Sequence, residues 1–547
     1  MFKGHPKGLY VAFFANMGER FGFYTMMAIL VMFLQAKFNL PADKAGVIYS
    51  IFYFSIYALA LLGGFLADRT QNYKGIIMIG IVVMFAGYII MAIPGLGLTV
   101  ALIGLFTIAF GNGLFKGNLQ ALVGQMYDAP EYSKLRDTAF SIFYMGINVG
   151  AFFAPNAARG VRSWYLGTHG LKYDADLPSL CNQMVSGQLT DTTKLQELAA
   201  GVSSSPIGDL KLWSQNYIDV FSTGYNYAFG IAAIAMLISL FAYVFFKSYL
   251  PDRKKLSASA DSKVPQMSKE EEKSRLTALG LVFLVVIFFW MSFHQNGLTL
   301  TYFARDYTVK AVDALTNNFF NLWSFLSILG VFYGFVFLLG KKSSSLTKAI
   351  GGGLVLVGGY LVYYFNSQFT GSNPIEPELF QQFNPIFIVV LTPVVVALFA
   401  MLREKNIEPS TPRKIGIGMI LAAVGFVIMV LGSLNLMSPS ELGGNPSPDR
   451  VSANWLIGTY FILTVAELFL SPMGLSFVSK VAPPRFQGLM QGGWLGATAL
   501  GNQLLFVGSS LWVAIAIWQV WAVFVVCCLI SAAFIFTIMK KLEKATS

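Results

Sequence analysis

Five ionisable side chains lie within long apolar stretches of this sequence: Glu19, Arg20, Lys116, His294 and Glu467. At the centre of a membrane-spanning helix, each charge without a partner costs at least ~2.5 kcal/mol. Such residues are therefore expected to face one another or to line a wet cavity. There the cations and carboxylates can bind charged groups, and the histidine can take up a proton. The alternative is a buried salt bridge that only fixes helix packing.

The composition indicates which elements must position these residues. The 547-residue chain is 55% hydrophobic and only 12% charged, with a mean hydropathy of +0.62, whereas soluble domains contain about a quarter charged residues. Apolar runs recur throughout, and several exceed the roughly 20 residues that a helix needs to cross a bilayer. We therefore predict an all-α integral membrane protein with about fourteen transmembrane helices. The first run begins near Tyr10 and resembles the later ones, so a cleaved signal peptide is not expected.

Charge placement predicts the orientation of the chain. When both termini are placed in the cytoplasm, most of the 38 Lys and Arg residues fall on the cytoplasmic side, as the positive-inside rule requires. The net charge of +11 is then explained by membrane topology, and a nucleic-acid partner is not expected. We predict a multi-pass protein of the plasma (inner) membrane. The three cysteines suggest neither a disulfide framework nor a metal site, and no cofactor is expected.

Several sequence blocks resemble the proton-dependent oligopeptide transporters of the major facilitator superfamily. The segment "GERFGFY" (18–24) is similar to that family's first-helix signature. The blocks "IYALALLGGFLADR", "GNGLFKGNLQALVGQMY", "FSIFYMGINVGAFFAP", "FQQFNPIFIVVLTP" and "AELFLSPMGLSFVSKVAP" follow in the family's order. The resemblance implies two six-helix bundles that rock around a central site, with two further helices inserted. The expected binding partners are a small peptide, protons and the bilayer, and the expected functional unit is a monomer.

The resemblance and the apolar runs together divide the chain into segments. A charged cytoplasmic linker and a polar outer loop of unknown role separate the spans. We expect the two extra helices to form a hairpin that packs outside the central cavity. The predicted segments are 1–160 with 223–250 (first bundle), 161–222 (extracytoplasmic loop), 251–275 (linker), 276–304 with 380–547 (second bundle) and 318–366 (hairpin).

The family's transport chemistry implies roles for the charged residues. A dipeptide is a zwitterion, so its carboxylate needs cations, supplied by Arg20 and Lys116, and its amine needs an anion, supplied by Glu467. Glu19 and Arg20 are adjacent on one helix and point about 100° apart, so we expect both to border the cavity in different directions. The substrate-binding positions implied by the resemblance are Arg20, Tyr24, Tyr57, Lys116, Asn148, Trp290, Asn384, Glu467, Trp494 and Thr498.

Three residues depart from the family pattern. Asn16 replaces the first Glu of the signature, Met27 replaces a basic residue, and His294 replaces a Glu of the seventh core helix. Met27 and His294 occupy positions that pair across a gate in the family, so the two changes are consistent with each other. Because Asn16 cannot titrate, proton coupling must use other groups. Glu19 is the leading candidate, and His294, Lys116 and Glu467 also belong to the network.

Three alternatives remain open at this stage. His294 can be a structural residue in an apolar helix. The chain can transport another anion, such as nitrate or an organic acid, although such a substrate has no amine to match Glu467. It can also equilibrate peptides without concentrating them. An enzyme is not expected, because the sequence contains no spacing of nucleophile and base and no phosphate-binding loop.

Overall fold

The structure is a computed structural model that describes residues 4–128, 131–132, 135–251, 267–340, 343–483 and 486–546. Long apolar segments form helices because a helix satisfies its own backbone hydrogen bonds in a lipid environment. Helix ends coincide with local signals. Asn39 and Gln71 end the first two helices in the left-handed conformation, with φ of 51° and 53°, and the Asn72 side chain accepts a hydrogen bond from the backbone of Gly75 at the next helix start.

The first half of the chain contains long helices and two short ones. The helices are α1 (Gly8–Phe38), α2 (Ala42–Thr70), α3 (Tyr73–Ala92), α4 (Leu98–Met126), α5 (Arg136–Thr168), α6 (Leu177–Ser186), α7 (Thr193–Val202) and α8 (Leu210–Phe246). A 3₁₀ turn, Lys247–Tyr249, follows α8. Helix α1 packs on α5 and α8, while α3 packs on α4 and α8. These contacts make the long helices of this half one bundle.

The second half contains the remaining helices and one small sheet. The helices are α9 (Lys269–Phe293), α10 (Thr299–Asp306), α11 (Ala314–Asn317), α12 (Leu322–Leu339), α13 (Ser345–Gln368), α14 (Phe383–Glu404), α15 (Thr411–Ser433), α16 (Pro439–Leu442), α17 (Asn454–Val481), α18 (Gln487–Gln503), α19 (Phe506–Ala514), α20 (Ile517–Thr537) and α21 (Met539–Thr546). Two 3₁₀ helices, His294–Gly297 and Pro377–Gln382, follow α9 and precede α14. Strands β1 (Ala311–Val312) and β2 (Asn373–Pro374) pair antiparallel, with Ala311 opposite Pro374.

The molecule has two opposite ends, which we call the terminal face and the capped face. At the terminal face, α1 begins against the end of α8, where a Cβ on Gly8 would lie 2.6 Å from the Tyr249 carbonyl oxygen. At the opposite end, the capped face, α6 and α7 connect α5 to α8. The two halves meet along the length of α2, which packs against α18 and α19.

The prediction of about fourteen transmembrane helices is confirmed. Among the described residues, thirteen helices are long and apolar enough to cross a membrane. Residues 487–507 of the predicted second bundle form α18, which has 17 residues, and the first part of α19. Helix α5 extends to Thr168, beyond residue 160, where the predicted segment of the first bundle ends. One face of its last turns, with Arg162 and Leu166, is buried, and Arg162 pairs with residues of the second half. The polar loop between the long helices is correspondingly shorter and includes α6 and α7.

Helices α12 and α13 form a hairpin with close backbone contact. A Cβ added to Gly334 would lie 2.8 Å from the Gly351 carbonyl oxygen, so only glycine permits this approach. The Tyr333 hydroxyl donates a hydrogen bond to the Val389 carbonyl of α14 at 2.9 Å. Most side chains of α13 are exposed, as expected for a helix that faces lipid.

Candidate functional site

Glu19 and Arg20 form a buried ion pair on α1. The Arg20 Nε and Nη2 atoms each lie 2.5 Å from a Glu19 carboxylate oxygen, and the residues are 1% and 3% exposed. The expectation that they point in different directions is wrong for their charged ends, because the long arginine side chain bends back onto its neighbour. Arg20 is therefore occupied by Glu19 in this state, while its Cζ also lies 4.6 Å from the Phe23 ring centroid.

Helix α4 presents Asn112 and Lys116, one turn apart, to this pair. Close packing of α4 on α2 requires glycine, since a Cβ on Gly113 would lie 2.7 Å from Leu59. The Asn112 Nδ2 donates a hydrogen bond to Glu19 Oε1. The Lys116 Nζ lies 3.9 Å from the centroid of the Tyr57 ring, a cation–π contact. In the described part of the chain, Lys116 has no carboxylate within 4 Å, so its charge is open to a further partner.

Glu467 supplies the anion of the second half. It lies on α17, and its Oε2 accepts a hydrogen bond from the Asn384 Nδ2 of α14 at 2.8 Å. The same amide donates to the Thr464 hydroxyl at 3.1 Å, which fixes its orientation. As far as the chain is described, no cation lies within 4 Å of Glu467. Helix α17 thus holds a carboxylate in place with a neutral partner.

The charged and aromatic side chains of the two halves border the same space between them. Tyr24 on α1 and Tyr57 on α2 interact electrostatically both with Arg20 and with Glu467 of the opposite half. Tyr144 on α5, which interacts with Tyr57, is 40% exposed. We call this space the central cavity. Tyr24, Tyr57, Lys116 and Glu467 are only half-buried, as expected for side chains that line such a cavity.

His294 lies in an aromatic environment at the end of α9. Its ring stacks on Trp290 with centroids 4.7 Å apart and lies 4.6 Å from the Tyr53 ring of α2. Its Nδ1 is 2.5 Å from the Asn502 Oδ1 of α18. His294 is 7% exposed. The structure thus gives this residue one polar partner and packs it at the junction of α2, α9 and α18.

The remaining predicted residues vary in how directly they approach the charges. Trp494 packs on α17 in contact with Gly474, and the Thr498 hydroxyl bonds to the Trp494 carbonyl at 3.0 Å. The Asn148 amide bonds to its own helix, at the Tyr144 carbonyl. Asn16 donates to the Phe143 carbonyl of α5 at 3.2 Å, so it joins two helices. Met27 is buried on α1.

Sequence reasoning missed a second group of charges, at the capped face. Arg162 on α5 is completely buried and pairs with Glu376 and with Glu378, the latter at 2.5 Å. Arg159 pairs with Glu376 at 3.0 Å. The Arg162 Cζ lies 3.9 Å from the centroid of the Tyr173 ring, and burial raises the pKa of Tyr173 well above its usual value. This group joins α5 to the 3₁₀ helix before α14, and the Arg159–Arg162 spacing of three residues was its only sequence signal.

A further set of ion pairs involves the segment around α6. Lys310 of the second half lies 2.7 Å from Asp174 and 2.6 Å from Asp176. Arg450 lies 2.7 Å from Asp176, and the Gln183 amide donates to the Gly444 carbonyl at 2.7 Å. The polar segment between α5 and α8 therefore connects the two halves at the capped face. These hydrogen bonds and ion pairs join the two halves at that face, whereas the central cavity contains Lys116 and Glu467 without ionic partners among the described residues.

The described residues contain no group of three His, Cys, Asp or Glu side chains that could hold a metal ion. The side chains gathered around the central cavity are instead aromatic rings, amides and isolated charges. Such a set can bind an organic ion by its charged groups and accommodate its apolar parts between rings.

Comparison with known proteins gives a consistent result. Residues 74–264 and 360–519 match the sequence profile of the POT family. The peptide transporter of Yersinia enterocolitica is 28% identical over 529 residues, which cover 92% of this chain and 87% of that protein. The di-/tripeptide transporter of Lactococcus lactis subsp. lactis is 26% identical over 533 residues, covering 92% and 89%.

Solved structures give the same answer for the fold. The structure of the peptide transporter POT in complex with sulfate matches with a TM-score of 0.67 at 22% identity, over 100% of this chain and 96% of that chain. This match confirms the predicted major facilitator fold. The profile covers more than half of the chain, and the matched proteins are membrane transporters rather than enzymes, so this chain belongs to the POT family of transporters.

Proposed function

We propose that this transporter imports di- and tripeptides together with protons by alternating access. One observation carries the proposal: Lys116 on one half and Glu467 on the other border the same cavity, and neither has an ionic partner within 4 Å among the described residues. A zwitterionic peptide carries the two opposite charges, one at each end. The names of the relatives, a peptide transporter and a di-/tripeptide transporter, support this substrate class.

Each end of the peptide has a proposed partner. Lys116 binds the carboxylate, and Arg20 joins it when Glu19 releases the guanidinium. Glu467 binds the amine, with Asn384 holding the carboxylate in position. Because the two charges belong to different halves, a bound peptide draws the halves together, which promotes closure of the cavity. The rings of Tyr24, Tyr57, Trp290 and Trp494 bind varied side chains, and Asn148 and Thr498 complete the lining.

Glu19 is the proposed proton carrier. As a carboxylate it holds Arg20, and protonation removes the charge that binds the guanidinium, so Arg20 becomes available to the substrate. His294 is a secondary carrier and, with Met27, lies at a gate. The orientation we propose places both termini in the cytoplasm and the capped face outside, in the plasma membrane of a monomeric transporter.

Asn16 favours a second candidate, a transporter that equilibrates peptides without concentrating them. Its side chain cannot titrate, and its amide is bonded to the Phe143 carbonyl. The two candidates differ only in coupling, since the binding site is the same. They are separated by whether a proton gradient drives accumulation.

Uptake of a dipeptide into proteoliposomes tests both candidates. We expect the dipeptide to accumulate when the proton gradient is directed inward, with the outside acidic, and to exchange when there is no gradient. Glu467→Gln is expected to lower affinity about ten- to a hundredfold, because charge-assisted hydrogen bonds contribute roughly 1.5–3 kcal/mol. Glu197→Gln on the exposed face of α7 is the matched control. Exchange without accumulation would favour the equilibrating carrier, and normal affinity in Glu467→Gln would remove Glu467 from the site.

A further inference from the structure

Asn112 is bound to Glu19 in an unusual way. Its side chain is 1% exposed, and its Nδ2 donates to Glu19 Oε1. Its Oδ1 is buried and has no hydrogen-bond partner among the described residues. Leaving a buried acceptor unsatisfied is unfavourable, and most such groups in proteins find a partner. The free oxygen therefore needs an explanation that the ion pair alone does not give.

The chemistry of the amide provides one. Rotation of the Asn112 amide by 180° about its last side-chain bond exchanges the nitrogen and the oxygen. A carboxylate accepts hydrogen bonds only, whereas a carboxylic acid also donates one through its hydroxyl group. In the observed orientation the amide matches the charged form of Glu19. In the rotated orientation its oxygen would accept a hydrogen bond from the protonated form.

We infer that Asn112 is a positioning residue for proton coupling, whose amide serves Glu19 as donor in one protonation state and as acceptor in the other. The inference rests on the proposed function, in which Glu19 carries the proton. The charged form of Glu19 also receives two hydrogen bonds from Arg20. Once Arg20 binds the substrate instead of Glu19, Asn112 is the partner that remains with the protonated form of Glu19. Asn112 donates to the carboxylate in the observed orientation. Because a hydrogen bond to a charged group is stronger than one between neutral groups, Asn112 stabilises the charged form more than the protonated form.

Other groups around Glu19 set the background for its titration. Those that interact with it electrostatically are Arg20 and Tyr24 on α1, Tyr57 on α2, Tyr88 on α3 and Lys116 on α4. Helices α5 and α8 also pack on α1, but charged and titratable residues such as Arg162 and Tyr225 belong to the capped face. Substitution of the neutral Asn112 leaves all of these charges unchanged, so its effect can be measured separately.

Two variants test the inference by the sign of a pH shift. Asn112→Leu has similar size but cannot donate to the Glu19 carboxylate, so half-maximal gradient-driven uptake should move to higher pH, by about one unit. Asn112→Asp keeps the shape and an acceptor but adds a second carboxyl group. Two neighbouring carboxyl groups share a proton readily, so half-maximal uptake should move to higher pH. Because Asp is nearly isosteric, this variant tests the inference even if Asn112→Leu does not fold.

The matched control is Asn118→Leu. Asn118 is equally buried on α4, but its amide donates to the Gly63 and Leu114 carbonyls rather than to Glu19. We expect its pH profile to match wild type even if its activity falls.

Equal shifts in Asn118→Leu and Asn112→Leu, a shift to lower pH in either Asn112 variant, or no shift in either would overturn the inference. If wild type exchanges peptide but never accumulates it, proton coupling itself is absent and the inference fails with it. If wild type is coupled to protons but the Asn112 variants show the wild-type pH profile, the inference is overturned and the proposed function stands.

Discussion

The central cavity and the capped face use the same kinds of charged residue in opposite ways. At the capped face, Arg162 is completely buried and paired with two glutamates of the other half. In the central cavity, Lys116 and Glu467 are half-buried and have no ionic partner within 4 Å among the described residues. Paired charges hold a closed surface together, whereas unpaired charges bordering a cavity can receive a ligand. The two regions therefore differ in the pairing of their charges rather than in residue type, and the Glu19–Arg20 pair is the exception in the central cavity.

The largest effect on stability is expected from Arg162→Met. Removing Arg162 leaves Glu378 without its cation and Glu376 with Arg159 alone, and breaking a buried ion pair typically costs about 3–5 kcal/mol. Thermal unfolding of the purified protein should show a large loss of stability. Arg159→Met is the control, because Arg159 is 37% exposed. Lys116→Met should change stability less than either arginine variant, since no ion pair is lost. Similar unfolding temperatures for Arg162→Met and Lys116→Met would contradict the contrast between the two regions.

An intermediate effect is expected from Lys310→Gln, at the ion pairs with Asp174 and Asp176. Lys310 is 31% exposed, so the loss should be about 1 kcal/mol or less. Exposed pairs are screened by salt. The difference in unfolding temperature between Lys310→Gln and wild type should therefore shrink at high salt, while the difference for Arg162→Met persists. Equal salt sensitivity of the two variants would show that the capped face is uniformly solvated.

The smallest effect is expected from Glu408→Gln, whose ion pairs lie within one half. Hydrogen bonds from Arg403 and Lys414 lower the pKa of Glu408 from 4.5 to about 2. A carboxyl group with a lowered pKa contributes stability above its unfolded value and loses it as the pH falls through the folded value. The variant should be less stable by about 0.5 kcal/mol near neutral pH, with the difference fading between about pH 4.5 and 2. A transport defect in this variant would weaken the distinction between pairs within and between halves.

The fold was predictable from the sequence because lipid imposes one simple rule. A segment that crosses the bilayer must be apolar and helical, so apolar runs locate the helices directly. Boundaries were less predictable where a helix continues into buried polar contacts. Helix α5 continues past residue 160 and carries Arg162 into an ion cluster, because one face of its end packs against protein.

The site was only partly predictable for a related reason. Isolated charges such as Lys116 and Glu467 stand out in apolar helices, because a charge within the membrane is energetically unfavourable and usually has a function. The partners that orient them do not stand out. Asn384 is expected only through the family resemblance and Asn112 is not expected at all, because both are neutral and their contacts with Glu467 and Glu19 depend on how the helices pack. The contact between the Arg20 guanidinium and the neighbouring Glu19 carboxylate likewise depends on the flexibility of the arginine side chain, which helix periodicity does not predict.

The proposed roles of Lys116 and Glu467 can be tested by measuring the binding of three forms of one dipeptide: free, amino-acetylated and carboxy-amidated. Wild type should bind the free dipeptide about ten- to a hundredfold more tightly than either blocked form. In Glu467→Gln, the free and acetylated forms should bind equally while amidation still weakens binding. In Lys116→Gln, amidation should lose most of its effect while acetylation still weakens binding. If Glu467→Gln keeps the full preference for a free amino group, the two cavity charges do not hold the two ends of the peptide.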